Sequence, residues 1–180
     1  MSRVVIITTS LRARSNSDIL VEKVAEGAKA AGHKVEVISL KDKTISFCKG
    51  CLACQKTFKC VIKDDAMEIT EKVKEADTIV FATPIYYYEM SGQMKTLLDR
   101  LNPLYPSDYR FRNVYMLMTA AEDEAFVCEK AVSGLEGWID CFGKAEFKGS
   151  LFFGGINDMG EAAEKNEELK EAYKFGETLA

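Results

Sequence analysis

An α/β fold on a doubly wound parallel sheet is predicted by two features of the chain. Five short, continuous apolar runs, at residues 4–9, 34–40, 78–82, 114–119 and 147–153, have the length and composition of buried strands. Between them the period changes to that of helices, and strands alternating with helices form parallel βαβ units covered on both faces. Five such units favour a three-layer fold of flavodoxin-like order 2-1-3-4-5. The ligand crevice of that order lies at the carboxyl ends of the first and third strands.

Each element has a local reason. Residues 4–9 open with Val4-Val5-Ile6-Ile7, an apolar run too brief for a membrane span and without a signal-peptide cleavage region, so it is read as the first buried strand. Residues 17–31 place Ile19, Leu20, Val24 and Ala28 on one side of a helix, and residues 65–76 place Ile69, Val73 and Ala76 similarly. Further helices are expected over 91–101, from 123 to about 142, and over 167–179. No repeat, low-complexity tract or linker interrupts the chain, so residues 1–180 are expected to form one domain.

The 180 residues are enough to bury a sizeable core without a disulfide scaffold. A hydrophobic share of 47%, a charged share of 29% and a net charge of −4 leave no basic excess to grip phosphate backbones. Nucleic acid and membrane are therefore not expected partners. Six cysteines without an export signal point to the reducing cytoplasm, where thiols serve metals or redox chemistry more often than disulfides.

The first strand runs into Thr8-Thr9-Ser10-Leu11-Arg12-Ala13-Arg14-Ser15-Asn16-Ser17, dense in hydroxyls and carrying two arginines just before a helix. Helix N-terminal amides attract phosphate, and Ser, Asn and Arg side chains complete its hydrogen bonding. Neither G-x-G-x-x-G nor G-x-x-x-x-G-K-[ST] is present, so a terminal monophosphate fits better than a dinucleotide or a nucleoside triphosphate. Helix capping by Ser15 or Ser17 is the simpler account, but it leaves Arg12 and Arg14 unexplained.

The third strand leads into Thr83-Pro84-Ile85-Tyr86-Tyr87-Tyr88, whose rings and main-chain N–H groups suit one wall of a planar heteroaromatic ligand. Thr119-Ala120-Ala121-Glu122-Asp123 follows the fourth strand at the same edge. Its two acids, like Asp64 and Asp65, read as first-turn or capping residues of the next helix. The sole histidine, His33, lies at an expected turn and reads as a solvated residue, not a general base, so no catalytic side chain is assigned.

Cys48, Cys51, Cys54 and Cys60 form a C-x2-C-x2-C-x5-C run within one loop. Four thiolates so spaced can converge on an iron–sulfur cluster, whereas a mononuclear zinc site usually takes two separated ligand pairs. Small buried thiols or disulfides remain the alternative. Cys128 and Cys141 are expected to be packing residues.

The phosphate loop, the cysteine loop and the tyrosine loop, in this order along the chain, make it resemble the NADPH-dependent FMN reductase branch of the flavodoxin-like superfamily. Ser10-Leu11-Arg12-Ala13-Arg14-Ser15-Asn16-Ser17 is similar to that family's FMN-phosphate loop, with Leu11 where the pattern has Pro. Thr83-Pro84-Ile85-Tyr86, Gly92-Gln93-Met94-Lys95 and Leu98-Asp99-Arg100 resemble its isoalloxazine loop and the helix after it. Cys48 to Cys60, continued by Val61-Ile62-Lys63-Asp64-Asp65, resembles the cysteine motif of the iron–sulfur flavoproteins within the branch. The third loop at the ligand-binding edge, Thr119-Ala120-Ala121-Glu122-Asp123, lacks the glycines often found there.

The resemblance implies an enzyme in which bound FMN takes hydride from NADH or NADPH and passes electrons to a quinone, flavin, azo or nitro compound. FMN contacts are implied for Ser10, Arg12, Ser15, Asn16, Ser17, Pro84, Ile85, Tyr86, Tyr87 and Thr119. A [4Fe-4S] cluster on Cys48, Cys51, Cys54 and Cys60 is the alternative emphasis, with electrons passing between FMN, the cluster and a redox protein. A cofactor-free partner-binding module is the third reading. A homodimer or homotetramer is implied, with Tyr87, Tyr88 or Trp138 as candidate contact residues.

Overall fold

Val4, Val5, Ile6 and Ile7 are completely buried because the first strand, β1 (Arg3–Thr8), has helices on both of its faces. Successive side chains point to opposite sides of a strand. Val4 and Ile6 accordingly enter one core with helix α1 (Asn16–Ala30) and the last helix, α6 (Asn166–Glu177). Val5 and Ile7 enter the other core with α3 (Ala66–Lys74), α4 (Gly92–Arg100) and α5 (Glu129–Ile139). This computed structural model describes residues 1–179.

The remaining strands are β2 (Lys34–Ser39), β3 (Thr78–Tyr86), β4 (Glu89–Met90), β5 (Asn113–Thr119) and β6 (Glu146–Phe153). They pair in the order β2-β1-β3-β5-β6, all parallel, with β4 antiparallel against the end of β3. Counting parallel strands alone, this is the expected 2-1-3-4-5 order of a flavodoxin-like fold. The chain direction across the sheet reverses between β1 and β3, which opens a crevice at their carboxyl ends.

Three boundaries differ from the sequence expectation. β3 runs four residues past Ala82, because Thr83 and Pro84 stay in register with β5 and Ile85 and Tyr86 pair with β4. The helix expected from residue 123 begins with a 3-10 turn, Ala125–Cys128, and becomes α-helical only at Glu129, since Glu124 is extended. A four-residue helix, α2 (Cys54–Thr57), lies within the cysteine loop. Among the described residues no helix is long and apolar enough to cross a membrane.

Candidate functional site

A fold otherwise cored by apolar residues buries a group of hydroxyls at the carboxyl edge of the sheet. Thr9, Ser10, Ser15, Ser17, Thr83, Ser91 and Thr119 are all buried there, and buried hydroxyls require partners. They find one another. Thr9 Oγ1 donates to the Ala82 carbonyl at 3.0 Å and meets Ser91 Oγ at 3.0 Å, while Ser91 N donates to Thr83 Oγ1 at 3.0 Å. Ser17 Oγ and Thr119 Oγ1 are 2.8 Å apart, tying the start of α1 to the end of β5.

Ser15 caps α1, accepting from Asp18 N at 3.4 Å. Asn16 and Ser17 then open the helix, so their N–H groups have no intrahelical acceptor and carry the positive end of its dipole. Asp18, in the same turn, accepts from the Thr8 hydroxyl, and burial pushes its carboxyl above the ordinary range. Arg12 lies at the rim, where its Nη1 donates to the Asn157 carbonyl at 2.7 Å. Arg12 and Arg14 make no ion pair with a carboxylate among the described residues, which leaves fixed positive charge beside the helix terminus.

Ser10, Arg12, Ser15, Asn16, Ser17, Pro84, Ile85, Tyr86 and Thr119 line one cleft together with Ala120, Ala121, Ile156 and Asn157. Nine of the ten residues implied for the cofactor are thus brought together. The tenth, Tyr87, projects outward and is 98% exposed. Tyr87 and Tyr88 form the two-residue connection between β3 and β4, and both are left-handed, with φ of 52° and 65°. Such a connection favours Asn-Gly, so two tyrosines here are strained. Tyr88 stacks on Phe126 and donates to Glu122 at 3.2 Å, and that carboxylate pushes the phenol above its ordinary value. Glu122 is therefore a partner of the tyrosine hairpin, not a first-turn acid of a helix.

The segment after β6 was not singled out by sequence reasoning, yet it closes the cleft. Asn16 Nδ2 donates to the Asp158 carbonyl at 2.9 Å and Asn16 Oδ1 accepts from Ala162 N at 3.1 Å. Gly154 lets this segment touch the third loop, since a Cβ there would come within 2.4 Å of Asp123 Cα. The available signal was the turn-rich Gly154-Gly155-Ile156-Asn157-Asp158-Met159-Gly160, placed after the last strand at the ligand-binding edge.

The cysteine loop lies at the far end of α4. All four thiols are free; Cys54 is buried, Cys60 half-buried, and Cys48 and Cys51 exposed. Among the described residues no three Cys, His, Asp or Glu side chains close around a single ion. The four cysteines do line one small pocket, shared with Arg100 and Asn102. Arg100 is fully buried, and its guanidinium holds Asp64 by two bonds of 2.7 and 2.8 Å. Burial opposes ionisation of Asp64, but these bonds and the Ser46 N–H hold its carboxyl below the usual range. Asp64 was expected to be a helix cap alone; it does accept from Ala66 N, and it also anchors this buried pair. Asp65 instead accepts from Thr44 N, with no capping bond to its own helix.

Burial and contacts also place the remaining residues singled out in the sequence. Cys128 packs partly against the core, whereas Cys141 is exposed and so is not a packing residue. Trp138 is half-buried and lies against Phe81, Phe111 and Phe142 in an aromatic group on the core. His33 is half-buried and pairs through Nδ1 with Ser2, so it is not simply solvated.

The residues of the cleft fit the phosphate and ring of FMN. A helix N-terminus with open amides and uncompensated arginine suits the phosphate, and the apolar Pro84, Ile85, Ala120 and Ile156 beside it in the cleft suit a ring. A family profile described as NADPH-dependent FMN reductase matches residues 2–140. An iron–sulfur flavoprotein of Archaeoglobus fulgidus is 44% identical over 100 residues, covering 56% of this chain and 49% of that protein. The chain therefore spans about half the length of this relative. A further iron–sulfur flavoprotein, from Methanosarcina thermophila, is 29% identical over 83% of this chain and 79% of its own. In fold, the NAD(P)H:quinone oxidoreductase of Methanothermobacter marburgensis superposes over 98% of both chains with a TM-score of 0.77 at 19% identity.

Proposed function

The chain belongs to the NADPH-dependent FMN reductase family, and we propose that it is an FMN-dependent NAD(P)H oxidoreductase acting on a small acceptor such as a quinone, flavin, azo or nitro compound. The observation that carries this reading is the meeting, in one cleft, of the α1 N-terminus and Arg12 with Pro84, Ile85 and Tyr86. Bound FMN would supply the redox chemistry, accepting hydride from the nicotinamide and handing electrons on.

The work of the chain is to hold and shield. Arg12 and the open amides of Asn16 and Ser17 would bind the phosphate, and Ser10 and Ser15 would complete its hydrogen bonds. Pro84, Ile85 and Tyr86 would wall the ring, with Ala120 and Ala121 too small to obstruct it. No side chain need move a proton, consistent with the lack of a histidine near the cleft. One FMN-binding domain over residues 1–180 goes with this reading, as does cytoplasmic action, where free thiols persist. A second copy would cover the exposed Tyr87 and Phe126 at the cleft mouth.

The test is to purify the chain without oxygen, load it with FMN, and follow NADH and NADPH oxidation with a quinone. Flavin bands on the protein and acceptor-dependent oxidation are expected. A chain that stays colourless after FMN addition, or oxidises neither nucleotide, would overturn the reading.

A second reading has its own support. In an iron–sulfur flavoprotein, Cys48, Cys51, Cys54 and Cys60 would hold a [4Fe-4S] cluster, which places each thiolate on its own iron instead of all four on one ion. It is favoured by two sulfur-directed donors, from Arg100 to Cys60 at 3.5 Å and from Asn102 to Cys54 at 3.2 Å. The iron–sulfur flavoproteins of Archaeoglobus and Methanosarcina to which the chain is similar agree with it. About four irons per chain, measured beside flavin, would establish it.

A further inference from the structure

We infer that Arg100 and Asn102 are positioning residues of the cysteine loop: Arg100 holds its two ends together, and both aim N–H groups at sulfurs so as to raise the reduction potential of a four-thiolate centre. The inference rests on the iron–sulfur reading above. It concerns groups that the thiol motif does not contain.

Arg100 touches the loop on both sides. Its Nη1 donates to the Ser46 carbonyl at 2.7 Å, two residues before Cys48, and its Nη2 donates to the Ile62 carbonyl at 3.3 Å, two residues after Cys60. Asp64, held by the same guanidinium, accepts from Ser46 N at 2.9 Å. Almost all of the loop is otherwise irregular, its one helix being four residues long. Together with the bonds between Thr44 and Asp65 just outside, the buried Arg100 side chain and its carboxylate partner hold the two ends between which the four cysteines lie.

The donors then point at sulfur. Arg100 Nη2 is 3.5 Å from Cys60 Sγ and Asn102 Nδ2 is 3.2 Å from Cys54 Sγ. Hydrogen bonds to ligand sulfurs are among the determinants of cluster potential, because they favour the more negatively charged, reduced state. A further detail points the same way. Arg100 Nε is buried without any acceptor, although Arg100 lines the pocket with the four cysteines. A buried donor left unpaired is unfavourable, and thiolates with inorganic sulfide would add acceptors to that pocket.

The residues reach the loop from α4 and the turn after it, Asn102–Leu104. The N-cap of the same helix, Ser91, belongs to the hydroxyl network behind the FMN cleft. Nine helical residues at the usual rise separate the two ends by about 13 Å. One rigid element therefore places both sites.

The experiment compares the wild-type chain with Asn102→Ala and with the paired replacement Arg100→Met/Asp64→Leu, which removes the charge pair without stranding either charge. Each is loaded with FMN, reconstituted anaerobically with ferrous iron and sulfide, analysed for iron and flavin, and titrated for midpoint potential. All three are expected to retain FMN, the sign that they fold. Asn102→Ala should keep its iron and lose about tenfold in electron affinity, a fall of about 59 mV for a one-electron couple. The paired variant should lose more than half of its iron. Wild-type potential in Asn102→Ala, or full iron in the paired variant, would overturn the role given to that residue while the cluster reading stands. A wild-type chain with FMN and no iron would overturn the cluster reading, and this inference with it.

Discussion

The cleft and the cysteine loop sit at either end of α4 and are built in opposite ways. The cleft is assembled from the ends of three neighbouring strands, and its hydroxyls are buried and bonded to one another before any ligand arrives. The cysteine loop carries two exposed thiols beside one half-buried and one buried, on mostly irregular backbone whose ends are tied by Arg100, Asp64 and Asp65. The contrast separates a binding site that the fold itself preorganises from one in which packing fixes only the base. A ligand shared by several preformed elements costs little ordering on binding.

The largest expected effect breaks the second region. Arg100→Met leaves the buried Asp64 carboxylate without its cation, and breaking a buried pair from one side typically costs about 3–5 kcal/mol. Denaturant unfolding should show that loss. The further change Asp64→Leu should recover most of it, because no buried charge is then left unpaired. The pair also has a pH signature. Asp64 titrates below its ordinary value in the folded chain, so its contribution is complete above about pH 5, where the unfolded carboxyl is ionised. It is lost as the pH falls through the depressed value. The stability gap between wild type and the paired variant should be constant from pH 8 to about pH 5 and narrow below about pH 4. A gap that keeps its size at pH 3 would mean that Asp64 is not the titrating partner.

The next effect tests the first region. Arg12→Ala removes a charge-assisted contact to phosphate and should weaken FMN binding by about 1.5–3 kcal/mol, read by flavin fluorescence titration. Stability without FMN should scarcely change, since Arg12 is exposed and its bond to Asn157 lies at the rim. Unchanged FMN affinity would move the phosphate site elsewhere. Ser91→Ala reaches deeper into the same region. It removes the cap of α4 and the partner of Thr9, and should lower stability by about 1 kcal/mol in thermal unfolding. If FMN affinity falls as well, the network transmits order from the helix to the cleft. If stability alone falls, it only supports the helix.

The two regions also differed in how far they could be read from the sequence. Strand order and the phosphate loop were legible because they rest on local signals: apolar runs set β1, β3 and β5, and Ser15-Asn16-Ser17 before a helical period marks a helix N-terminus. What escaped was created by contacts between distant residues. Asn16 bonds across 142 and 146 positions to the segment after β6, and no local pattern announces that pairing. Arg100 read as the end of an amphipathic helix, and Asp64 as a cap. Their meeting across 36 residues becomes visible only once α4 has packed beside the cysteine loop. Cys141 shows the same limit, because helical period gives a face but not what covers it.

The smallest effect sharpens the comparison inside the cleft itself. Its floor is relaxed, with buried hydroxyls each satisfied, whereas its mouth carries Tyr87 and Tyr88 in left-handed backbone. Asn tolerates that conformation better than Tyr. Tyr87 is 98% exposed, so Tyr87→Asn gives up almost no packing and should stabilise the chain by about 0.5–1 kcal/mol, as a rise in denaturant midpoint. FMN affinity should stay close to wild type, because the ring of Tyr87 lies outside the cleft lining. A stabilised variant that binds FMN normally but turns over more slowly would show that the strained tyrosine serves what docks at the open face. A destabilised variant would mean that Tyr87 is covered in the working protein, as a subunit contact would require, and measuring the midpoint at two protein concentrations would distinguish that case.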